Sequence, residues 1–264
     1  MEQKKIQIQD FLCSNSEKEI PAETDWFVPV AYGHVLEAEA FGGIIEYRGA
    51  GDTPRAGGFR YHNIEELLKL PEMDFTKGHM REMFENCQKI HEKGRKVLFK
   101  ISGPLTILDG LIEAGKVYKA LRKKRELMKP VLDHIRKQLE VFIQLLSAQG
   151  VELISYADPA GSVKILGPET AAWMVENFTY PLLKQAELHM GSDTTMVLCP
   201  KTVLALQGVG KIEHRKVKLE TEEPIYYAKA CAQMAGKIRF VGQGCINQDT
   251  YYLTEGFIQE IVLK

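Results

Sequence analysis

Short runs of Val, Ile and Leu alternate along the chain with longer stretches in which apolar residues recur at every third or fourth position. The short runs are typical of buried β-strands, and the longer stretches are typical of amphipathic helices. Strands are predicted at 26–31, 43–47, 96–101, 151–156, 194–198, 217–219 and 237–241. Helices are predicted at 76–93, 116–149, 168–189, 222–235 and 250–263.

Alternation of strands and helices indicates parallel βα units. About seven such units over roughly 250 residues favour a barrel over an open, doubly wound sheet. The predicted fold class is therefore α/β, a (β/α)8-type barrel that is complete or short of one βα unit, with residues 1–264 in a single domain. The Gly- and Pro-rich segment 49–58 is predicted to be a lid or a loop at the barrel mouth.

Composition excludes few functions but sets the expected environment. The chain has 34 basic and 35 acidic side chains and a net charge of −1, so its overall charge gives no reason to expect nucleic acid or a membrane as partner. The beginning of the chain lacks the apolar core of a signal peptide, and no apolar run reaches the roughly 20 residues of a membrane span. These features predict a cytoplasmic protein, and the five scattered cysteines predict reduced thiols.

The segment 116–137 carries many Lys and Arg residues. The main interpretation is a solvated helix surface, because the chain as a whole is neutral. The alternative is a docking face for an acidic protein.

Two cysteines, Cys199 and Cys245, each follow a predicted buried strand. The carboxyl ends of parallel strands open into one mouth, so both thiols are expected there. Two thiolates can hold Zn²⁺, and a zinc ion with an open position can bind and deprotonate a substrate thiol. We therefore predict that the two sulfur atoms lie within about 4 Å of each other. The alternative is that each cysteine is a small buried hydrophobic residue.

Several segments, 101–108, 155–162, 166–169 and 242–246, together resemble a known family. Its most specific parts are Asp158-Pro159-Ala160-Gly161-Ser162 and Gly242-Gln243-Gly244-Cys245. They resemble the uroporphyrinogen decarboxylase superfamily, and within it most closely the corrinoid-dependent methyltransferases of the methylcobamide:coenzyme M type. The resemblance runs from about residue 29 to the last residue and implies a barrel fold.

The resemblance also implies a zinc site. The family holds zinc with a His-X-Cys motif and a later Cys, which correspond here to Cys199 and Cys245, but Val197 stands where the histidine is expected. We predict His34 as the third ligand, and the alternatives that the sequence leaves open are Glu213, His214 and Glu220. The two cysteines are also closer in sequence than the family pattern implies, which predicts that part of the late barrel is missing.

The function implied by the resemblance is methyl transfer from a methylcobamide (cobalamin), carried by a corrinoid protein, to a zinc-activated small-molecule thiol. The acceptor stays open among coenzyme M, homocysteine, another thiol and tetrahydrofolate. Two alternatives remain: a decarboxylase, for which Arg48, Arg55 and Arg60 could bind substrate carboxylates, and a non-catalytic relative that binds a corrinoid or another ligand.

Other candidate site residues surround the predicted mouth. Asp158 and Tyr156 are the candidate catalytic residues; a turn cap is the alternative role for Asp158, and packing is the alternative for Tyr156. The candidate cofactor-binding residues are Gly103, Ser162 and Gly244. Thr106 is predicted to cap the helix that follows Gly103.

Overall fold

The computed structural model describes residues 26–30, 34–46, 54–221, 223–246 and 251–264. The strands within these ranges are β1 (Val28–Val30), β2 (Ile44–Glu46), β3 (Arg55–Gly58), β4 (Val97–Ser102), β5 (Leu153–Ala157), β6 (Thr195–Leu198), β7 (Ile212–Lys218), β8 (Ile225–Tyr226), β9 (Phe240–Val241), β10 (Tyr252–Leu253) and β11 (Phe257–Leu263).

The α-helices are α1 (Leu36–Ala40), α2 (Gly78–Glu92), α3 (Pro104–Asp109), α4 (Ala114–Lys123), α5 (Arg125–Ala148), α6 (Val163–Leu166), α7 (Pro168–Met174), α8 (Tyr180–His189), α9 (Pro200–Gly208) and α10 (Tyr227–Met234). A π-helical turn, Val175–Thr179, joins α7 to α8, and 3-10 turns occur at Ile64–Lys69 and Pro159–Gly161. The predicted helix at 168–189 is therefore one helical region with a wider turn in its middle.

The central sheet has the strand order β1-β4-β5-β6-β9-β11-β7. Its first five strands are parallel and follow one another in chain order, and the apolar residues on one face pack against helices α1 to α9. Sequential parallel strands with helices on one side are the winding of a TIM-type barrel, which confirms the predicted α/β class. Among the described strands β1 and β7 are the two edges, so hydrogen bonds do not close the barrel.

The C-terminal part departs from the predicted βα pattern. The helix predicted at 250–263 is wrong: the segment forms β10 and β11, and β11 runs antiparallel to both β9 and β7. The segment Phe257–Leu263 is rich in β-branched and aromatic residues, which favour a strand, and it follows a turn at Gly256, where φ is +68°. The strand predicted at 217–219 is the end of the longer edge strand β7, and α10 is shorter than the helix predicted at 222–235.

Helix α10 lies on the face of the sheet opposite the other helices. Its buried residues pack with apolar side chains from β4, β5, β6, β9 and β11, namely Leu98, Leu153, Val197, Val241 and Ile258. Lys96 Nζ also donates a hydrogen bond of 2.6 Å to the carbonyl of Ala232 near the end of α10. The space that facing strands fill in a regular barrel is thus occupied here by a helix.

Two other predicted segments are only partly as expected. Within the segment 49–58 the described residues form β3, which pairs with β2 as an antiparallel hairpin, and positions 49–53 lie outside the described residues. The basic stretch 116–137 lies in α4 and the first half of α5. Ion pairs of Lys129 with Asp133 and of Lys124 with Glu65 neutralise part of its positive charge. No helix within the described ranges is long and apolar enough to cross a membrane.

Candidate active site at the carboxyl ends of the strands

Chemically active side chains collect where the parallel strands end. Ser102 is the last residue of β4, Asp158 follows β5 directly, Cys199 follows β6, and Cys245 closes the glycine-rich turn after β9. Because these strands are parallel, their ends share one edge of the sheet. This edge is the mouth of the barrel.

His34, Ser102 and Glu37 form a hydrogen-bonded chain at this mouth. His34 Nδ1 lies 3.3 Å from Ser102 Oγ, and the backbone N–H of Ser102 donates a 2.8 Å hydrogen bond to Glu37 Oε1. His34 is exposed, whereas Ser102 and Glu37 are each 1% exposed. The chain therefore leads from the surface of the mouth to a carboxyl group in the protein interior.

Burial raises the pKa of Glu37 from 4.5 to about 7. The hydrogen bonds from the backbone N–H and the hydroxyl of Ser102, and from the backbone of Glu37 itself, oppose this shift without cancelling it. A carboxyl group with a pKa near neutrality can take up or release a proton under ordinary conditions.

Asp158 has a different environment, although it stands at the end of the adjacent strand. Its Oδ1 accepts hydrogen bonds of 2.8 Å from both the backbone N–H and the hydroxyl of Thr106, and its Oδ2 accepts one of 3.4 Å from the backbone N–H of Leu105. The backbone N–H of Gly161 adds a further donor, yet burial of the carboxyl group still raises its pKa. Asp158 therefore caps the N-terminus of α3 from outside the helix.

This arrangement corrects the expected role of Thr106. It lies inside the first turn of α3 and donates to Asp158, so the carboxylate of the neighbouring strand is the cap and Thr106 is one of its donors. The turn cap considered for Asp158 is thus a helix cap: Asp158 follows β5 and caps α3, the helix that follows β4.

Two glycines give Asp158 room. A Cβ atom on Gly103 would lie 2.3 Å from Asp158 Cβ and 2.9 Å from Tyr156 Oη, and one on Gly161 would lie 2.3 Å from Asp158 Oδ2. Gly103 also donates a 2.8 Å hydrogen bond to the carbonyl of Ala157. The close approach of β4 and β5 explains why a glycine stands at position 103. Cofactor binding by Gly103 stays a prediction.

The structure brings Tyr156, Asp158 and Ser162 to one small cavity beside the mouth. Tyr156 is fully buried, on the sheet face that the outer helices cover, and Ser162 is 6% exposed. The catalytic role of Tyr156 and Asp158 and the cofactor-binding role of Ser162 stay predictions.

Cys199 and Cys245 follow neighbouring parallel strands, β6 and β9, and both keep some exposed surface. Gly242 and Gly244, in the turn before Cys245, have close neighbours: a Cβ atom would lie 2.3 Å from Val203 Cγ2 or 2.4 Å from Tyr251 Cδ1, respectively. Packing therefore explains both glycines, and cofactor binding by Gly244 stays a prediction.

The other candidate zinc ligands lie along β7 or just after it. Glu213 pairs with Lys264 at 3.3 Å, Glu220 pairs with Lys237 at 2.7 Å, and His214 is an exposed residue of the edge strand. Val197, at the position expected for histidine, is buried in the sheet. In the part of the chain that the structure describes, no three His, Cys, Asp or Glu side chains lie together in a way that could hold a metal ion. This arrangement does not supply the three ligands that a catalytic zinc needs.

Sequence reasoning missed Glu37 and Ser102 as site residues. One signal was available, since Glu37 stands between Val35-Leu36 and Ala38, an apolar context in which a carboxylate is uncommon. Its partner could not be inferred, because Ser102 is 65 positions away and approaches only in the folded chain.

Comparison with known proteins agrees with this architecture. The model of the uroporphyrinogen decarboxylase (URO-D) family matches residues 28–264. A solved structure of a methyltransferase from Methanosarcina mazei is similar in fold, with a TM-score of 0.55 and 20% sequence identity over 66% of this chain and 50% of that protein. The match thus spans half the length of that methyltransferase, and no curated protein matches this chain significantly. From the extent of the family match, this chain belongs to the uroporphyrinogen decarboxylase family.

Proposed function

We propose that this protein transfers a methyl group from a methylcobamide, presented by a corrinoid protein, to a small-molecule thiol at the mouth of the barrel. Family membership and the fold shared with a methyltransferase support this class of reaction. Two cysteines and a histidine at the ends of β1, β6 and β9 suit a site that handles a thiol.

The observation that carries the proposal is the buried carboxyl group of Glu37, with its pKa of about 7, at the inner end of the His34–Ser102–Glu37 chain. A thiol has a pKa near 8.5 and must lose its proton before its sulfur becomes a strong nucleophile. His34 is the exposed member of the chain, so it can touch the acceptor and accept that proton. Ser102 and Glu37 are positioning residues, and ionised Glu37 stabilises the positive charge that His34 gains.

The remaining chemistry is a substitution at carbon. The sulfur–carbon bond forms as the methyl group leaves its donor, and both electrons of the broken bond stay with the donor. The protein's part is to hold the thiol in line and to remove its proton.

Zinc held by Cys199, Cys245 and His34 is an alternative means of activating the thiol, because a zinc-bound His34 could not also accept the thiol proton. The described side chains do not form a three-ligand set, so we derive no step through a metal. Elemental analysis of protein purified under reducing conditions tests this alternative. Stoichiometric zinc that is lost in a Cys199→Ser/Cys245→Ser double variant would support the site, and metal-free active protein would remove it.

Methyl transfer is tested by incubating the purified protein with methylcobalamin and, separately, coenzyme M, homocysteine and tetrahydrofolate. Loss of methylcobalamin absorbance and formation of the methylated acceptor are followed in parallel. We expect turnover with a thiol, a rate that rises as pH increases through about 7, and loss of that pH dependence in Glu37→Gln. Glu126→Gln, which changes an exposed carboxyl of α5, is the control.

Failure of every acceptor would refute the proposal, and two alternatives would then be separated by binding and substrate tests. Arg55 and Arg60 are exposed near the β2–β3 hairpin, so uroporphyrinogen belongs in the same assay as a polycarboxylate substrate. Binding of a corrinoid without turnover would indicate a non-catalytic relative.

A further inference from the structure

A small cavity lies beside the mouth, between the end of β5, the π-helical turn and the first turn of α9. Its volume is about 20 Å³, enough for one water molecule or one oxygen atom of a larger ligand. Its polar lining residues are Tyr156, Asp158, Ser162, Thr179, Lys201 and Thr202. The rest of the lining is apolar, so the polar groups define what can bind.

Tyr156 Oη is the strongest indication of a ligand. The side chain is 0% exposed, and among the described residues its hydroxyl has no hydrogen-bond partner. The Thr179 hydroxyl is near enough to affect its pKa but does not meet hydrogen-bond geometry. Burial, and next the Asp158 carboxyl, hold the pKa of the phenol well above its ordinary value, so the hydroxyl keeps its proton and can donate.

Further groups around the cavity also favour a negatively charged oxygen. Ser162 and Thr202 are buried hydroxyl-bearing residues, and the exposed Lys201 belongs to the first turn of α9, whose helix dipole favours an anion. Asp158 is the one acidic residue of the lining, but its oxygens already accept hydrogen bonds from the N-terminal turn of α3 and from Gly161. Those donors offset part of its charge, although Asp158 still raises the pKa of Tyr156.

The π-helical turn contributes to the shape of the cavity. It places Val175 and Thr179 in the lining together with Tyr156. Single π-helical turns inside α-helices occur frequently at functional sites, because the wider turn redirects side chains.

We propose that this cavity is an anchoring site for a carboxylate oxygen of a small ligand, with the phenol of Tyr156 as its buried donor and Lys201 at its rim. Lys201, in the lining, is two positions after Cys199, and Asp158, also in the lining, directly follows β5, so the cavity adjoins the strand ends that form the mouth. Taken together with the proposed function, on which this identification of the ligand rests, the acceptor is a mercapto acid: a small molecule with a carboxylate at one end and a thiol at the other.

Binding of 3-mercaptopropionate, with 1-propanethiol as the uncharged comparison, tests the site. Each is titrated into the full chain by calorimetry without any methyl donor. We expect the mercapto acid to bind at least tenfold more tightly than the thiol, and Tyr156→Phe to remove most of that preference. Thr202→Val is a second variant, which should weaken binding less and keeps the test available if Tyr156→Phe fails to fold.

Tyr118→Phe is the matched control, because the hydroxyl of Tyr118 donates to the carbonyl of Ala160 and does not line the cavity. It should bind the mercapto acid as the unmodified chain does. Equal binding by the unmodified chain, Tyr156→Phe and Thr202→Val would overturn the proposal, and so would the absence of carboxylate binding, which would leave water as the occupant.

The same titrations separate this inference from the proposed function. Carboxylate binding that depends on Tyr156, without methyl transfer to any acceptor, would leave the site standing and refute the methyltransferase. Methyl transfer to a thiol, with ligand binding that does not depend on Tyr156, would support the methyltransferase and refute the carboxylate site.

Discussion

Glu37 and Asp158 are two carboxyl groups at the same mouth, and they differ in the donors around them. Asp158 accepts hydrogen bonds from Leu105, Thr106 and Gly161, including the first turn of α3. Glu37 is held by Ser102 and its own backbone, and burial raises its pKa to about 7. Burial raises the pKa of both groups, and it raises that of Glu37 to about 7.

Helix capping gives Asp158 a structural role, beside which its catalytic role stays a prediction, whereas the pKa of Glu37 suits proton exchange. A carboxylate that completes the N-terminus of a helix stabilises the helix and has little capacity left for a ligand. A carboxyl group with few donors and a raised pKa can change its charge near neutral pH. The first group positions the loop after β5, and the second supplies the chemistry proposed for His34.

The largest expected effect comes from Asp158→Ala, which leaves the donors of Leu105, Thr106 and Gly161 without their acceptor. We expect the free energy of unfolding to fall by about 4 kcal/mol, measured by urea denaturation. Asp158→Asn keeps an acceptor and should cost about half as much. Asp109→Ala, at an exposed position of the same helix, should change stability by less than about 0.5 kcal/mol. A loss for Asp158→Ala no larger than that of the control would contradict the capping role.

The next effect is the pH dependence of stability due to Glu37. Its pKa is about 7 in the folded protein and 4.5 as the ordinary value, so the folded state binds more protons between these values. Stability therefore falls as pH rises from about 4.5 to 7, by on the order of 3 kcal/mol. Glu37→Gln cannot ionise and should lack this loss in urea denaturation at pH 5 and pH 8. Parallel pH profiles for the variant and the unmodified chain would refute the shifted pKa, and Glu126→Gln should keep the unmodified profile.

A smaller effect is expected from Gly103→Ala, because the added methyl group would overlap Asp158 Cβ at 2.3 Å. The overlap forces β4 and β5 apart and should cost about 2 kcal/mol. Gly208→Ala is the matched control: it lies in α9, and no atom is within 4 Å of the added carbon. If thermal or urea denaturation gives both variants the same stability, the close approach at Asp158 is not a constraint.

The smallest expected effect on stability is that of Ser102→Ala, at about 1 kcal/mol. The hydroxyl of Ser102 lowers the pKa of Glu37, so its removal should raise that pKa further and move the pH midpoint of methyl transfer upward. The shift separates a positioning role from a purely structural one. Ser192→Ala, at an exposed serine, should leave the midpoint unchanged. A midpoint that moves downward or stays in place in Ser102→Ala would contradict the connection between Ser102 and Glu37.

The sequence predicted the parallel half of the fold well. β4, β5 and β6 are short apolar runs followed by helices, and their pattern is local, so it could be recognised without tertiary information. The last segment was misjudged because its apolar residues, Phe257, Ile258, Ile261 and Val262, recur at the three- and four-residue spacing of a helix. Pairing with β9 and β7 decides in favour of the strand β11.

Of the candidate site, the sequence placed His34, Asp158, Cys199 and Cys245 after strands, and the fold puts them at one end of the sheet. The sequence could not show that Asp158 caps α3, the helix after β4, because Thr106 in that helix is 52 positions away from Asp158. The hydrogen bond between Ser102 and Glu37 could not be predicted either, because these residues are 65 positions apart.

By itself, the sequence determined the order of the βα units, the family and the residues at the strand ends, because these depend on local hydrophobic periodicity and short motifs. The tertiary structure decided that β7 and β11 run antiparallel, that α10 occupies the inner face, and that Glu37 is the carboxyl group with a pKa near 7. Strand pairing and desolvation depend on residues far apart in the chain, and the fold alone brings those residues together.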